Sequence, residues 1–294
     1  MPEGPEVTVI SNGLNKILKG QYLHNLDFNY KGARYSKKNP DKLSEFEQLL
    51  PLKINSIESK GKFIYFCFDK DWYMYNTLGM SGGWYKKTKN HIVVQLDHHK
   101  NKTVKDEELG NLWFDDQRHF ATFKFVKGKT ELEKKLKTIG PDLLNDNIND
   151  LEFITKYKKN GHKKVDVVLN DQKIFSGIGN YLKAEILYDA EISPHSIIKY
   201  IPDNKLKDLL KSSKDRIKAS YLLGGASVEH YSDLNNKAGT FQDYFKVYKK
   251  KVDQDGNKVI SERVSKPNDP KSQKTYWVPA VQKEYKSALD SDDE

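Results

Sequence analysis

The apolar pattern of this chain changes period along its length, and that change limits the folds open to it. From Tyr22 to about Val126 apolar residues come in short alternating runs, among them Phe63-Ile64-Tyr65-Phe66, His91 to Leu96 and Phe120 to Val126, with Gly, Asn and Asp between them. Alternation of this kind builds strands with one face buried, so the stretch reads as a β-sandwich or barrel. From Leu151 to Leu223 the spacing is helical, with candidate helices at Glu152 to Tyr157, Val165 to Leu169, Tyr181 to Tyr188 and Leu206 to Leu222. Another helix precedes the strands, where Val7, Ile10, Leu14, Ile17 and Leu18 share one face. The last section returns to strand-like text. Tyr244 to Lys251 and Val259 to Val264 flank Asp253-Gln254-Asp255-Gly256-Asn257, whose Asp-Gly step signals a hairpin, and Thr275-Tyr276-Trp277-Val278 follows. The expected class is α+β. An N-terminal β-sandwich domain with an N-terminal helix covers 1–130. A polar junction containing Gly140-Pro141-Asp142 covers 131–150, a helical domain 151–240, and a terminal hairpin section 241–288, ahead of a short acidic tail at Asp290 to Glu294.

A chain of 294 residues is long enough for two cores. Lys and Arg outnumber Asp and Glu by 50 to 41, a net charge of +9 that points to a polyanionic partner or simply to solubility. Almost all of this charge is lysine. The arginines are Arg34, Arg118, Arg216 and Arg263, and each merits separate attention because guanidinium makes bidentate contacts that ammonium cannot. Cys67 is the one cysteine, so an intrachain disulfide and a multi-cysteine zinc site are excluded and a reducing compartment is expected. No stretch has the length of a signal peptide h-region at the start or of a membrane span anywhere. The expectation is an intracellular protein with no membrane partner.

Two places carry candidate chemistry on their residues alone. Removal of Met1 exposes the secondary amine of Pro2, which can attack C1′ of a deoxyribose and give an iminium directly. An α-amine has a pKa of roughly 8, so a useful fraction is neutral near pH 7. Glu3 beside it is suited to proton transfer at the sugar, and Glu6 to holding the amine or a water. The competing reading of Met-Pro-Glu-Gly-Pro-Glu is a plain helix entry. The second place is Ser176-Gly177-Ile178-Gly179-Asn180, a tight turn ahead of a helix whose exposed amides favour an anion, or simply a loop.

The hexapeptide resembles the N-terminus of the formamidopyrimidine-DNA glycosylase and endonuclease VIII family, and five further blocks follow in that family's order. They are Ser59-Lys60-Gly61-Lys62-Phe63, Leu78-Gly79-Met80-Ser81-Gly82, Asp116-Gln117-Arg118-His119-Phe120, the run from Asp171 to Glu185, and Tyr276-Trp277-Val278-Pro279-Ala280-Val281-Gln282. The resemblance implies a helix–two-turn–helix domain and a DNA glycosylase that also cleaves at abasic sites. It gives Pro2 the Schiff base, Glu3 acid–base work, Glu6 support, and Lys62 a phosphate grip near the lesion with Lys60 beside it. Met80, Arg118 and Phe120 match residues that fill the gap left by a flipped base. Asn180 matches a phosphate contact, and Glu185 a buried structural or active-site carboxylate. Val278 and Val281 stand where the family has zinc-binding cysteines, so the finger is similar to that of the zincless endonuclease VIII-like subgroup, with no metal and no cofactor. The finger's DNA-contacting arginine falls on Gln273, which leaves the contact to Gln273, Lys274 or Lys271. The segment Ala226 to Thr240 corresponds to the lesion-sensing loop. The implied partner is double-stranded DNA with oxidised bases, pyrimidines and hydantoins first, or abasic sites, met by a monomer. Two alternatives stay open: a non-catalytic damaged-DNA binder on the same scaffold, and a structural nucleic-acid protein with a similar helical turn.

Overall fold

The computed structural model describes residues 2–28, 35, 38–227, 231–265, 268 and 273–287. Met1, Lys271 and the acidic tail lie outside the described residues. The chain divides into two compact units, Met1–Thr138 with Tyr221–Gln242, and Ile139–Ser220 with Asp243–Glu294. The segment from Tyr221 to Gln242, which the sequence groups with the helices, thus belongs to the first unit.

The first unit opens on α1 (Gly4–Leu18), which starts three residues before the apolar periodicity does. Pro5 suits the first turn, where its missing N–H is no loss, and the Glu6 carboxylate turns back to accept the Glu3 amide at 2.7 Å. Val7, Ile10, Leu14 and Leu18 are fully buried. There follow β1 (Tyr22–Asp27), α2 (Leu43–Glu47), β2 (Leu52–Lys60), β3 (Phe63–Phe68), β4 (Trp72–Thr77), β5 (Gly83–Tyr85), β6 (Ile92–His99), β7 (Gly110–Asp115), β8 (Thr122–Lys127) and α3 (Lys129–Lys137). The strands form an antiparallel sheet in the order β5-β7-β6-β1-β2-β3-β4-β8. Its weakest seam is β1–β2, with Tyr22↔Lys53 and Leu23↔Leu52 as its register. The sheet folds over there into the expected sandwich: Trp84 of β5 meets Phe66 of β3 at 5.8 Å and donates to Asn76 of β4, while Phe114 of β7 meets Phe123 of β8 edge-on at 5.0 Å. Helix α3 occupies part of the polar junction. It buries only Leu132, which is why periodicity does not announce it.

The second unit holds α4 (Asp150–Lys158), α5 (Val165–Asn170), α6 (Asn180–Asp189), most of α7 (Asp203–Leu222) and the hairpin β9 (Ile260–Glu262) and β10 (Thr275–Trp277). Helix α6 is buried on all sides from Tyr181 to Tyr188, as the central helix of a core must be. The Asp-Gly turn forms, with Val252 bridging to Lys258. The expected strand from Tyr244 to Lys251 does not: it is a loop, because the Glu185 carboxylate takes the amides of Lys246, Val247 and Tyr248 that a ladder would need. Val278 is fully buried with Ala184, Tyr188, Val247 and Val259, and Val281 packs against them. No described helix is long and apolar enough to cross a membrane.

Candidate active site

Pro2 is buried immediately ahead of α1, and Glu3 and Glu6 are 3% and 1% exposed. Two carboxylates at a helix N-terminus lie in the favourable end of the helix field. Glu6 uses both oxygens: one accepts the Glu3 amide and the other the amide of Ala226, each at 2.7 Å. It therefore ties the start of α1 to the base of the segment Ala226–Thr240. Gly225 makes that approach possible, because its φ is +87° and a Cβ there would lie 2.6 Å from Glu6 Cγ. The base is closed further by the Ala226↔Thr240 bridge and by Ser227 Oγ, which donates to the Tyr231 carbonyl at 2.8 Å and accepts the Gly239 amide at 2.9 Å. The Tyr231 hydroxyl is buried without a hydrogen-bond partner; burial, with Glu6 next, pushes its pKa up. The sequence shows Gly224-Gly225 only as the entry to a loop, with nothing to pair it with Glu6, some 220 positions away.

Lys62 sits at the tip of the β2–β3 hairpin. Lys60↔Phe63 closes a two-residue turn, and Gly61 at φ +55° takes its left-handed first position. Lys60 is turned toward α3: its Nζ lies 3.4 Å from the Leu136 carbonyl, near the helix C-terminus, where a cation is favoured. Lys60 thus braces the hairpin that presents Lys62.

Met80, Arg118 and Phe120 come from two turns that the structure brings together. Met80 is half-buried in the β4–β5 turn, and Arg118 and Phe120 are exposed in the β7–β8 turn, Phe120 to 52%. The guanidinium stands 5.2 Å from the Phe120 ring. A Cβ on Gly79 would lie 2.7 Å from the backbone of Phe120 and Ala121, so only glycine lets the turns meet this closely. Asp116, fully buried, locks them: Oδ1 accepts Ser81 Oγ at 2.6 Å and the Arg118 amide at 3.2 Å, and Oδ2 accepts the Ala121 amide at 2.7 Å. Neither Asp116 nor Ser81 is given a role by sequence reasoning, although Ser81 adjoins Met80 and Asp116 stands two residues from Arg118. An exposed aromatic and an arginine on a rigid turn are suited to entering a base stack.

In the second unit Gln172 builds the turn before α6: its Nε2 donates to the Ile178 carbonyl at 2.8 Å and its Oε1 accepts the Gly177 amide at 3.0 Å. Gly179 caps α6, and Asn180 is its first residue. Asn180 Nδ2 donates to the Lys274 carbonyl at 2.9 Å, so Asn180 and the finger residues come together, with Gln273 and Lys274 exposed just ahead of β10. Glu185 has a structural place: it is fully buried, and its oxygens receive the amides of Lys246, Val247 and Tyr248 at 2.8–3.0 Å. Arg216 joins this cluster, with Nε and Nη2 on the two oxygens of Asp189. Burial opposes ionisation of Asp189, but Arg216 and Lys246 outweigh it and hold the carboxyl below its ordinary range.

Residues 1–123 match the formamidopyrimidine-DNA glycosylase N-terminal domain, 139–232 its H2TH domain and 232–283 its C-terminal domain. The chain is 30% identical over 255 residues to the formamidopyrimidine-DNA glycosylase of Zymomonas mobilis, covering 86% of this chain and 91% of that one. It is 28% identical over 296 residues to that of Mycoplasmopsis pulmonis, covering 97% and 99%. Among solved structures, the fold is shared with a complex of the Lactococcus lactis Fpg and DNA containing an abasic site (TM-score 0.80, 23% identity, covering 96% of this chain and 100% of that one). It is shared equally with MutM in complex with DNA containing carbocyclic 8-oxo-G (TM-score 0.79, 22% identity, the same coverage). With all three domains matched in order and the Zymomonas mobilis relative spanned almost end to end, the chain belongs to the formamidopyrimidine-DNA glycosylase family.

Proposed function

We propose that this glycosylase of oxidised bases is bifunctional and acts through a Schiff base on Pro2. The observation that carries the proposal is the buried pair Glu3 and Glu6 directly after Pro2, with Glu6 fixed at both oxygens. In the proposed reaction the Pro2 nitrogen attacks C1′ and the C1′–base bond breaks. Glu3 supplies the proton that opens the sugar ring at its oxygen, leaving an iminium between Pro2 and C1′. Loss of a C2′ proton then expels the 3′ phosphate (β-elimination), and loss of a C4′ proton expels the 5′ phosphate (δ-elimination). Lys62 holds a phosphate beside the lesion. Met80, Arg118 and Phe120 enter the space left by the flipped nucleotide, and Asn180 with Gln273 or Lys274 grips the backbone. The substrates proposed are oxidised pyrimidines and hydantoins in duplex DNA, together with abasic sites. The solved relatives hold an abasic site and an 8-oxo-G analogue, which makes 8-oxoguanine the comparison substrate.

Borohydride trapping on duplexes bearing an abasic site, dihydrothymine, a hydantoin or 8-oxoguanine tests this, with the adduct located by mass spectrometry and Pro2→Ala run alongside. The expected result is an adduct on the N-terminal peptide that the variant lacks, strongest for the abasic site and the hydantoin. Tight binding of these duplexes with no adduct on any of them would replace the enzyme with a damaged-DNA binding scaffold.

A further inference from the structure

The second unit buries an ion pair for which the reaction has no use. Lys183 of α6 and Asp166 of α5 are 1% and 0% exposed, and Nζ lies 2.6 Å from Oδ1. The same oxygen accepts the hydroxyl of Thr275, the first residue of β10, while Oδ2 is buried without a hydrogen-bond partner. An apolar pair of similar volume would pack into α6 at least as stably, because it escapes the desolvation of two charges. What the ion pair does that an apolar pair cannot is hold the Thr275 hydroxyl at one point.

That point matters because of what stands next to it. The residue before Thr275 is Lys274, whose carbonyl is held by Asn180 Nδ2 at 2.9 Å. Consecutive residues of the finger are therefore gripped by two polar anchors, Asn180 at the first residue of α6 and Asp166 on α5, itself held by Lys183 of α6. Among the described residues the hairpin pairs Thr275↔Glu262, Tyr276↔Ser261 and Trp277↔Ile260, and a two-stranded ladder this short is marginal unless it is fastened to something else. Gln273 and Lys274 project into solvent from the fastened end.

We propose that Asp166, Lys183 and Thr275 form a positioning clamp that sets Gln273 and Lys274 against a DNA phosphodiester. The inference rests on the DNA-binding reading above. The clamp touches neither DNA nor the reacting sugar. Its effect falls on affinity, and the chemistry of a bound abasic site is left as it was.

The test uses the full chain as Thr275→Val, which removes the hydroxyl, Thr275→Ser, which keeps it, and the double variant Asp166→Leu/Lys183→Leu. Affinity is measured on a duplex with a tetrahydrofuran site, single-turnover cleavage on a natural abasic duplex at saturating protein, Tm by calorimetry, and amide exchange over 273–277 without DNA. Thr275→Val and the double variant should weaken binding about tenfold, the scale of one lost anchor, with saturated cleavage within about twofold of the parent. Thr275→Ser should bind as the parent does. The double variant should hold or raise Tm, and exchange over 273–277 should quicken in Thr275→Val. Parental affinity or unchanged exchange in Thr275→Val would overturn the clamp. So would an affinity loss in the double variant that merely follows a fall in Tm. A parent chain that neither binds nor cleaves any duplex would instead sink the DNA reading, and the exchange measurement would still judge the anchor.

Discussion

Replacing Asp116 by Asn separates the scaffold of the proposed wedge, Met80, Arg118 and Phe120, from the wedge itself. The Asp116 carboxylate accepts three hydrogen bonds, from Ser81 Oγ and the amides of Arg118 and Ala121, at a fully buried position. An Asn oxygen in place of Oδ1 keeps the first two. Its amide nitrogen then faces the Ala121 N–H, donor against donor. The loss comprises one charge-assisted bond, about 1.5–3 kcal/mol, and one buried amide without an acceptor, of similar size, partly relieved by relaxation. A net cost of about 3 kcal/mol corresponds to a fall in Tm of roughly 6–12 °C for a unit of this size. The functional effect is unequal across substrates. On the function proposed above, a damaged base is pulled from the stack and its place filled by Met80, Arg118 and Phe120, whereas an abasic site has no base to extract. Single-turnover assays on a hydantoin duplex and an abasic duplex, at a temperature where Asp116→Asn is folded, should show base excision slowed at least tenfold and abasic cleavage slowed far less. Equal slowing of both, or parental Tm and excision, would refute the argument that Asp116 preorganises the wedge.

Glu185→Ala should destabilise the second unit by at least about 3 kcal/mol in urea unfolding, since three successive amides, that of Val247 buried and those of Lys246 and Tyr248 half-buried, lose a fully buried acceptor; a change under 1 kcal/mol would contradict the structural role given to Glu185. Prolonged dialysis against a strong chelator should leave Tm and abasic cleavage unchanged, because buried Val278 and its apolar neighbours hold the finger; a drop restored by zinc would count against this. In the finger turn, the Asn257 side-chain amide leads the contacts that hold the Asp253 carboxyl below its ordinary range, with the Asn257 and Asp255 amides and the Tyr188 hydroxyl assisting. A depressed pKa of this kind contributes stability that is fully present above the unfolded value, about 3.9, and is lost as pH falls through the folded one. Trp277 fluorescence during acid unfolding should therefore show a pH dependence below about pH 4 that Asp253→Asn removes, and identical slopes in parent and variant would refute the assignment. Tyr231→Phe removes a buried hydroxyl that has no partner, so the expected Tm is equal or higher, and a clear fall would show that the hydroxyl is bonded after all.

The parts of this protein that could be read from its sequence are those in which the signal is local. The sandwich strands, α1 and the helices of the second unit come from apolar period, and the turn before Asn180 comes from glycines that the backbone needs where they stand. The candidate catalytic residues proposed above are likewise local, since Pro2 and Glu3 directly precede α1 and Glu6 lies in its first turn. What escaped is the reach of the carboxylates that act at a distance. Asp116 reaches back 35 residues to Ser81, Glu185 forward about 60 to the loop it prevents from becoming a strand, Asp166 forward 109 to Thr275, and Glu6 forward 220 to Ala226. Each is a buried acceptor that gathers backbone amides or hydroxyls; in sequence Asp116 and Asp166 look like any other acid, while Glu6 and Glu185 are marked there without the distant groups they hold. The loop at Tyr244–Lys251 shows the consequence. Its alternating text favours a strand, and one buried glutamate on α6 overrides that preference because three amide bonds to a charged acceptor outweigh a β-propensity spread over about 1 kcal/mol. In a finger fastened by apolar packing and hydrogen bonds, the fold of the end that carries Gln273 and Lys274 thus depends on acids located far from it in sequence, and if that end meets DNA as proposed, substitutions at Asp166 or Glu185 should alter DNA binding as surely as substitutions at the exposed lysines.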